Sequence, residues 1–158
     1  MQAIAFKDPT LAEEDSAIQL IAFEIEEESY GVEITAVREI RAWTGATSLP
    51  STPAFVRGVI NLRGAIVPIL DLRARFNRPM VEPTKTHVVV VIAIEERLVG
   101  LLVDAVSDIV TIERSEVQPP PEFCGGEDFG LVIGLAPHKQ GMLALLDINL
   151  LLRGALPA

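Results

Sequence analysis

The chain of 158 residues suits one compact domain or two small lobes sharing a core, and 49% hydrophobic against 22% charged residues supply the material for that core. Its 22 acidic and 13 basic residues leave a formal net charge of -9, which repels a phosphate backbone or an anionic leaflet and argues against nucleic acid and lipid as partners. The single cysteine, Cys124, cannot close an intrachain disulfide, so the cytoplasm is the expected compartment.

Residues 1–16 carry Asp8, Pro9, Glu13, Glu14 and Asp15 with little apolar periodicity and read as an acidic tail without a secretory signal. Ile21, Phe23 and Ile25 then alternate with Ala22 and Glu24, the period of a strand with one buried face. After a polar turn at Glu26–Ser29, Tyr30–Ile34 alternates again and predicts a β-hairpin. Ile34, Val37 and Ile40 recur every third residue, which predicts a helical turn with Arg38 and Glu39 pointing outward. Residues 43–53 read as a loop, and Thr52-Pro53 predicts a short helix through Ala54-Phe55-Val56.

Gly58–Leu62 and Ala65–Leu70 are β-rich runs around Arg63-Gly64, a pair that predicts a tight turn with Arg63 at a hairpin tip. Pro68 lacks an N–H, so its strand is expected at an edge or a bulge. Asp71 reads as the N-cap of a helix over Leu72–Phe76, stopped by Asn77 in a left-handed conformation. Residues 82–86 form the expected junction between two lobes. Beyond it, His87–Ile94, a Glu95-Glu96 turn, Arg97–Val103 and a shorter stretch through Val110–Ile112 read as strands. Pro119–Gly126 reads as a loop, Leu131–Leu135 and Met142–Leu146 as final strands, and Asp147–Leu152 as a short helix before a tail at 153–158. Many short strands with scraps of helix predict an all-β sandwich or barrel in a single domain over 17–152. No tandem repeat is evident. The longest apolar run, Val88–Ile94, is far short of the ~20 residues that span a membrane.

Catalytic chemistry finds little support. His87 and His138 read as surface residues with no zinc-ligand spacing around them. Cys124 has no nearby base or basic cluster to activate it. Asp104 and Asp108, if both on one strand face, stand about 13 Å apart, too far to share a metal ion. Phosphate-binding glycine loops and the nucleophile elbow are missing from the sequence. Trp43 reads either as a binding anchor or as a lid over the local core. The expectation is a protein that is not an enzyme and holds no cofactor or metal.

Four blocks in order, Tyr30–Ile34 with Val37–Ile40, Leu49-Pro50 with Pro53–Gly64, Val67–Arg73 and Val99–Ile109, resemble the CheW family of chemotaxis coupling proteins over roughly 17–152. The resemblance implies two intertwined SH3-like five-stranded β-barrels around a shared hydrophobic core. It implies an adaptor joining the cytoplasmic tip of methyl-accepting chemoreceptors to the regulatory domain of the CheA histidine kinase, in the cytoplasm and recruited to membrane-associated arrays through those partners. By motif match, the receptor-facing positions are Val37, Glu39, Gly58, Asn61, Leu62, Arg63 and Gly64, with Val88, Val106 and Ile109 added from the second lobe; the kinase-facing surface carries no matched motif. The alternative within the family is a scaffold of a twitching or biofilm array. The Cys124–Asp128 loop matches no family motif. Because the sequence ends at Ala158, no receiver or kinase module is expected to be attached.

Overall fold

The structure, a computed structural model, describes residues 17–121, 131–139 and 141–152, so the expected tails and Cys124 with its loop lie outside the described residues. Two five-stranded sheets account for nearly all of the regular structure. The first contains β1 (Ala17–Ile25), β2 (Glu28–Glu33), β8 (Ala105–Glu113), β9 (Val132–His138) and β10 (Gly141–Leu146), in the order β8-β1-β2-β10-β9. The second contains β3 (Val37–Ala42), β4 (Val56–Leu62), β5 (Ala65–Asp71), β6 (Val88–Ile94) and β7 (Arg97–Val103), in the order β3-β6-β7-β5-β4. Two one-turn helices, α1 (Leu72–Arg75) and α2 (Ile148–Leu151), follow β5 and β10.

Both faces of the central strands are buried, which sets the sequence pattern. On β1, Ile21, Phe23 and Ile25 enter a large core between the sheets, while Ile18, Leu20 and Ala22 enter a smaller core with Ile112, Leu143 and Leu145. The expected single buried face of this strand is therefore corrected to two. Likewise Val90 and Ile92 of β6 point into the shared core, and Val89 and Val91 into a third cluster with Leu62, Val67 and Ile69. A strand buried on both sides has no polar face to alternate with, hence the unbroken run Val88–Ile94. Each sheet thus wraps its own small core and shares the large one, which is the all-β, two-barrel architecture that the family resemblance implied.

Several local expectations are corrected. The helical turn at Ile34–Ile40 shrinks to a 3-10 turn over Ile34–Ala36, because Val37 already begins a strand paired with β6. No helix forms at Ala54–Val56; Val56 opens β4. Pro68 lies on an interior strand, between β4 and β7. Its missing N–H costs no bond to β4, because Val59, opposite it, directs its own N–H and C=O away from β5 to Thr47, and in such an antiparallel pair each residue turns its polar groups away from the other. Pairing with β7 begins one residue later, at Ile69. The β8 strand runs the full Ala105–Glu113, not a short Val110–Ile112. By contrast, Asp71 caps α1 through bonds from the N–H groups of Arg73 and Ala74, and Asn77 stops it with φ 59°, as expected.

The two halves of the chain repeat one another. Each runs hairpin, third strand, second hairpin, one-turn helix, and in each the first hairpin joins one sheet while the rest joins the other. Both first hairpins turn on a Glu-Glu pair in left-handed conformations, Glu26-Glu27 and Glu95-Glu96. Bulges fall at matching places: Arg38 and Ser107 are skipped in the third strands, Arg57 and Ile133 in the strands that follow.

Candidate functional site

The β4–β5 turn is built for an exposed tip. Arg63 and Gly64 have φ of 52° and 90°, the two left-handed residues that a two-residue hairpin turn needs. Asn61 Oδ1 accepts a 2.8 Å bond from Gly64 N, closing the turn. Gly58, at φ 142°, is pressed so closely against Thr47 that a Cβ there would lie 2.2 Å from the Thr47 carbonyl oxygen. That approach lets Thr47 and Val59 exchange two 2.9 Å backbone bonds, which anchors the preceding loop to β4. Leu62 is buried in the third cluster and shapes the hairpin from beneath.

Strands β3 and β4 lie at opposite ends of the second sheet, and the Arg63 side chain spans the gap between them. Its Nη1 reaches Glu39 Oε1 on β3 at 2.9 Å, while Arg41 Nη1 approaches the other oxygen of Glu39 at 3.8 Å. The expectation that Glu39 points outward is corrected: its side chain is only 24% exposed, on the Arg41 face of the strand, whereas that of Arg63 is 76% exposed. An ion pair so open to water contributes about 0–1 kcal/mol, so it does not hold the barrel shut. The Arg63 guanidinium stays available to a partner.

Val37, Val88 and Val106 come from three strands of two sheets, and all three pack half-buried against the shared core. Ile109 is 56% exposed. It shares a face with Val106 although the two stand three positions apart, because the bulge at Ser107 consumes one residue, with Ser107 Oγ donating to the Ala22 carbonyl at 3.1 Å. The same device on β3 puts Ile40, 43% exposed, on the face of Val37. The structure therefore brings the predicted residues together as two groups, the Glu39–Arg63 hairpin tip and the apolar rim of the shared core. Sequence reasoning missed Ile40, Arg41 and the highly exposed Ile66, which lies opposite Asn61. Strict alternation hides Ile40, since a bulge is invisible without the partner strand.

A second polar cluster joins the sheets where β7 crosses into β8. Asp104 accepts from Arg73 Nε at 3.0 Å and Nη2 at 2.7 Å, and from Glu26 N at 2.9 Å. Arg73 Nη1 also meets Glu26 Oε2 at 3.3 Å, and Arg78 bonds Glu26, Glu28 and Tyr30 Oη. Partial burial pushes the Asp104 carboxyl upward, but the bonds from the Arg73 guanidinium and the Glu26 N–H outweigh it and hold the group below the usual carboxylate range. His87, expected at the surface, is mostly buried: Nδ1 accepts from Thr84 N at 3.0 Å, and Nε2 stands 3.9 Å from Asp104. His138, also expected at the surface, ends β9 half-buried. Trp43 packs against the third cluster as a lid. Among the described residues no three His, Cys, Asp or Glu side chains converge as a metal site.

The chain matches the family model for the CheW-like domain over residues 19–156. It is 44% identical over 131 residues to the chemotaxis protein CheW of Rhizobium meliloti, across 83% of this chain and 84% of that protein. To the chemotaxis protein CheW of Klebsiella aerogenes it is 39% identical over 142 residues, across 90% and 86%. Its fold superimposes with a TM-score of 0.75 on the crystal structure of the scaffolding protein TtCheW from Thermoanaerobacter tengcongensis, at 32% identity and with 82% of this chain and 88% of that one covered.

Proposed function

The chain belongs to the CheW family of chemotaxis scaffolds, and from that premise we propose that it couples methyl-accepting chemoreceptors to the CheA histidine kinase by binding both, without chemistry of its own. The observation that carries this reading is the Arg63 tip: a solvated cation held by Glu39 from one face of β3, whose other face carries the apolar Val37 and Ile40. Such a rim suits the helical hairpin end of a receptor, with apolar burial supplying affinity and charge setting register. Val37, Glu39, Asn61 and Arg63 offer contacts, Gly58, Leu62 and Gly64 shape the tip, and Val88, Val106 and Ile109 extend the surface to the other lobe. Recruitment to a membrane array follows through the receptors.

Co-sedimentation of the full chain with CheA and receptor cytoplasmic fragments tests the proposal. The parent enters a ternary complex, and Arg63→Glu, which sets two carboxylates against each other, loses mainly the receptor. Unchanged receptor binding by the folded variant refutes the assigned surface. Binding of neither partner by the parent refutes the coupling role in this array, and the same assay with components of a twitching or biofilm array then tests the other family role.

A further inference from the structure

The two crossovers between the sheets occupy matching places in the internal repeat yet are held differently. From β2 to β3 the chain passes through Ile34-Thr35-Ala36, secured by the exposed bond from Arg38 Nη1 to the Thr35 carbonyl at 2.9 Å. From β7 to β8 it passes through Asp104, gripped by two nitrogens of Arg73 and the N–H of Glu26. Asp104 N in turn donates to the Glu24 carbonyl at 3.0 Å. The position matching Arg73 in the second helix is Asn149, and that matching Asp104 is Thr35, so the repeat lacks a second clasp.

We propose that Arg73 is a positioning residue: by clasping Asp104 and Glu26 it sets the placement of β8 against β3 and β6, and with it the shape of the receptor-docking surface. The inference rests on the functional reading above. Arg73 stands on α1, which follows β5 of the second sheet, Glu26 opens the turn after β1 of the first, and Asp104 lies two residues before Val106. His87, 3.9 Å from Asp104, lies one residue before Val88. The clasp therefore meets the chain immediately ahead of Val88 and Val106, two of the three second-lobe contact positions. Its side chains are 17–34% exposed, so the bidentate pair is shielded from water better than the open Glu39–Arg63 pair.

The test places spin labels at Ala65→Cys and Thr111→Cys, one exposed site in each sheet, in the full chain carrying Cys124→Ser. Pulsed dipolar spectroscopy reads the distance between sheets, and a receptor cytoplasmic fragment reads binding. Arg73→Gln shifts or broadens the distance distribution and weakens receptor binding by about tenfold, one lost charge-assisted pair, with CheA binding retained. Arg73→Lys, which keeps the charge but loses the planar fork, falls between and serves alone if the glutamine variant does not fold. Asp147→Ala, a helix-cap change remote in sequence from the clasp, controls for destabilisation and moves neither readout. An unchanged distance in a folded Arg73 variant overturns the proposal, and so does a changed distance with full receptor affinity. If the parent binds no receptor fragment, the functional reading fails, and the distance alone decides whether the clasp sets the lobes.

Discussion

Asp71 and Asp147 cap α1 and α2 with nearly the same backbone, φ −87° and ψ 110° against φ −87° and ψ 108°, and the repeat makes each a control for the other. Among the described residues Asp147 accepts one bond, from Leu150 N at 3.2 Å. Asp71 is 3% exposed and accepts from Arg73 N and Ala74 N, but also from Arg57 Nε at 2.8 Å. Removing either cap costs about 1 kcal/mol. Asp71→Ala also strands the Arg57 guanidinium, whose side chain is only 19% exposed. Breaking a fully buried pair costs ~3–5 kcal/mol. Here Arg57 keeps its 2.7 Å bond to the Val81 carbonyl and some water, so the lower end applies. The expected losses are about 1 kcal/mol for Asp147→Ala and about 3–4 kcal/mol for Asp71→Ala. At ~2–4 °C per kcal/mol these become drops in Tm of about 3 °C and about 10 °C. Urea and thermal unfolding followed by circular dichroism measure both, and Arg57→Met added to Asp71→Ala recovers part of the loss by removing the stranded charge. Equal losses at the two caps would refute the assignment of the difference to Arg57.

Val103 is 1% exposed in the shared core, so Val103→Asp strands a charge there and leaves no folded protein at 37 °C; a soluble variant with parental Tm contradicts this. Gly58→Ala combines a φ of 142° with a Cβ 2.2 Å from the Thr47 oxygen, so it breaks the Thr47–Val59 bridge and costs at least ~2 kcal/mol, read from urea unfolding and faster amide exchange at Val59. Because the Asp104 carboxyl is lowered in the folded state, the unfolded chain takes up its proton first as pH falls. The stability Asp104 contributes is therefore complete above about pH 4, the unfolded value, and is lost as pH drops toward the lower folded one. Asp104→Asn flattens that part of the acid-unfolding profile; an unchanged slope contradicts the sign.

Short-range chemistry made much of the fold legible. The Arg63-Gly64 turn, the Asp71 cap with its Asn77 stop and the Asp147 helix were readable because each depends on residues within a few positions of itself. What failed depended on partners distant in sequence. Val37 at three-residue spacing from Ile34 and Ile40 looked helical, since the bulge at Arg38 that puts Val37 and Ile40 on one strand face exists only against β6. Pro68 looked like an edge residue, since nothing local reveals that Thr47 captures the hydrogen bonds of Val59. His87 looked superficial, since Asp104 approaches it from the far end of β7. The hairpin half of the candidate site was visible as a motif, whereas Ile40 and Ile66 emerged only with the sheet.

The internal repeat escaped notice for a related reason: the halves share constraints more than residues. Identity survives where backbone geometry or space demands it. Gly31 matches Gly100, and Gly58 matches Gly134, because a Cβ at any of the four would come within 3.0 Å of a packed neighbour. Asp71 matches Asp147 because each must cap a helix as its strand ends. Identity disappears at the charged positions: Glu39 and Arg63 form a pair where the other half has Asp108 and Lys139, and Arg73 with Asp104 answers to Asn149 with Thr35. The open Glu39–Arg63 pair contributes little stability, so folding places little demand on those two positions and leaves them open to partner recognition, whereas the better shielded Arg73–Asp104 clasp stands in one half alone. The proposed coupling of two different partners through two similar lobes draws on that division, with packing kept alike in both and ionic contacts that differ between them.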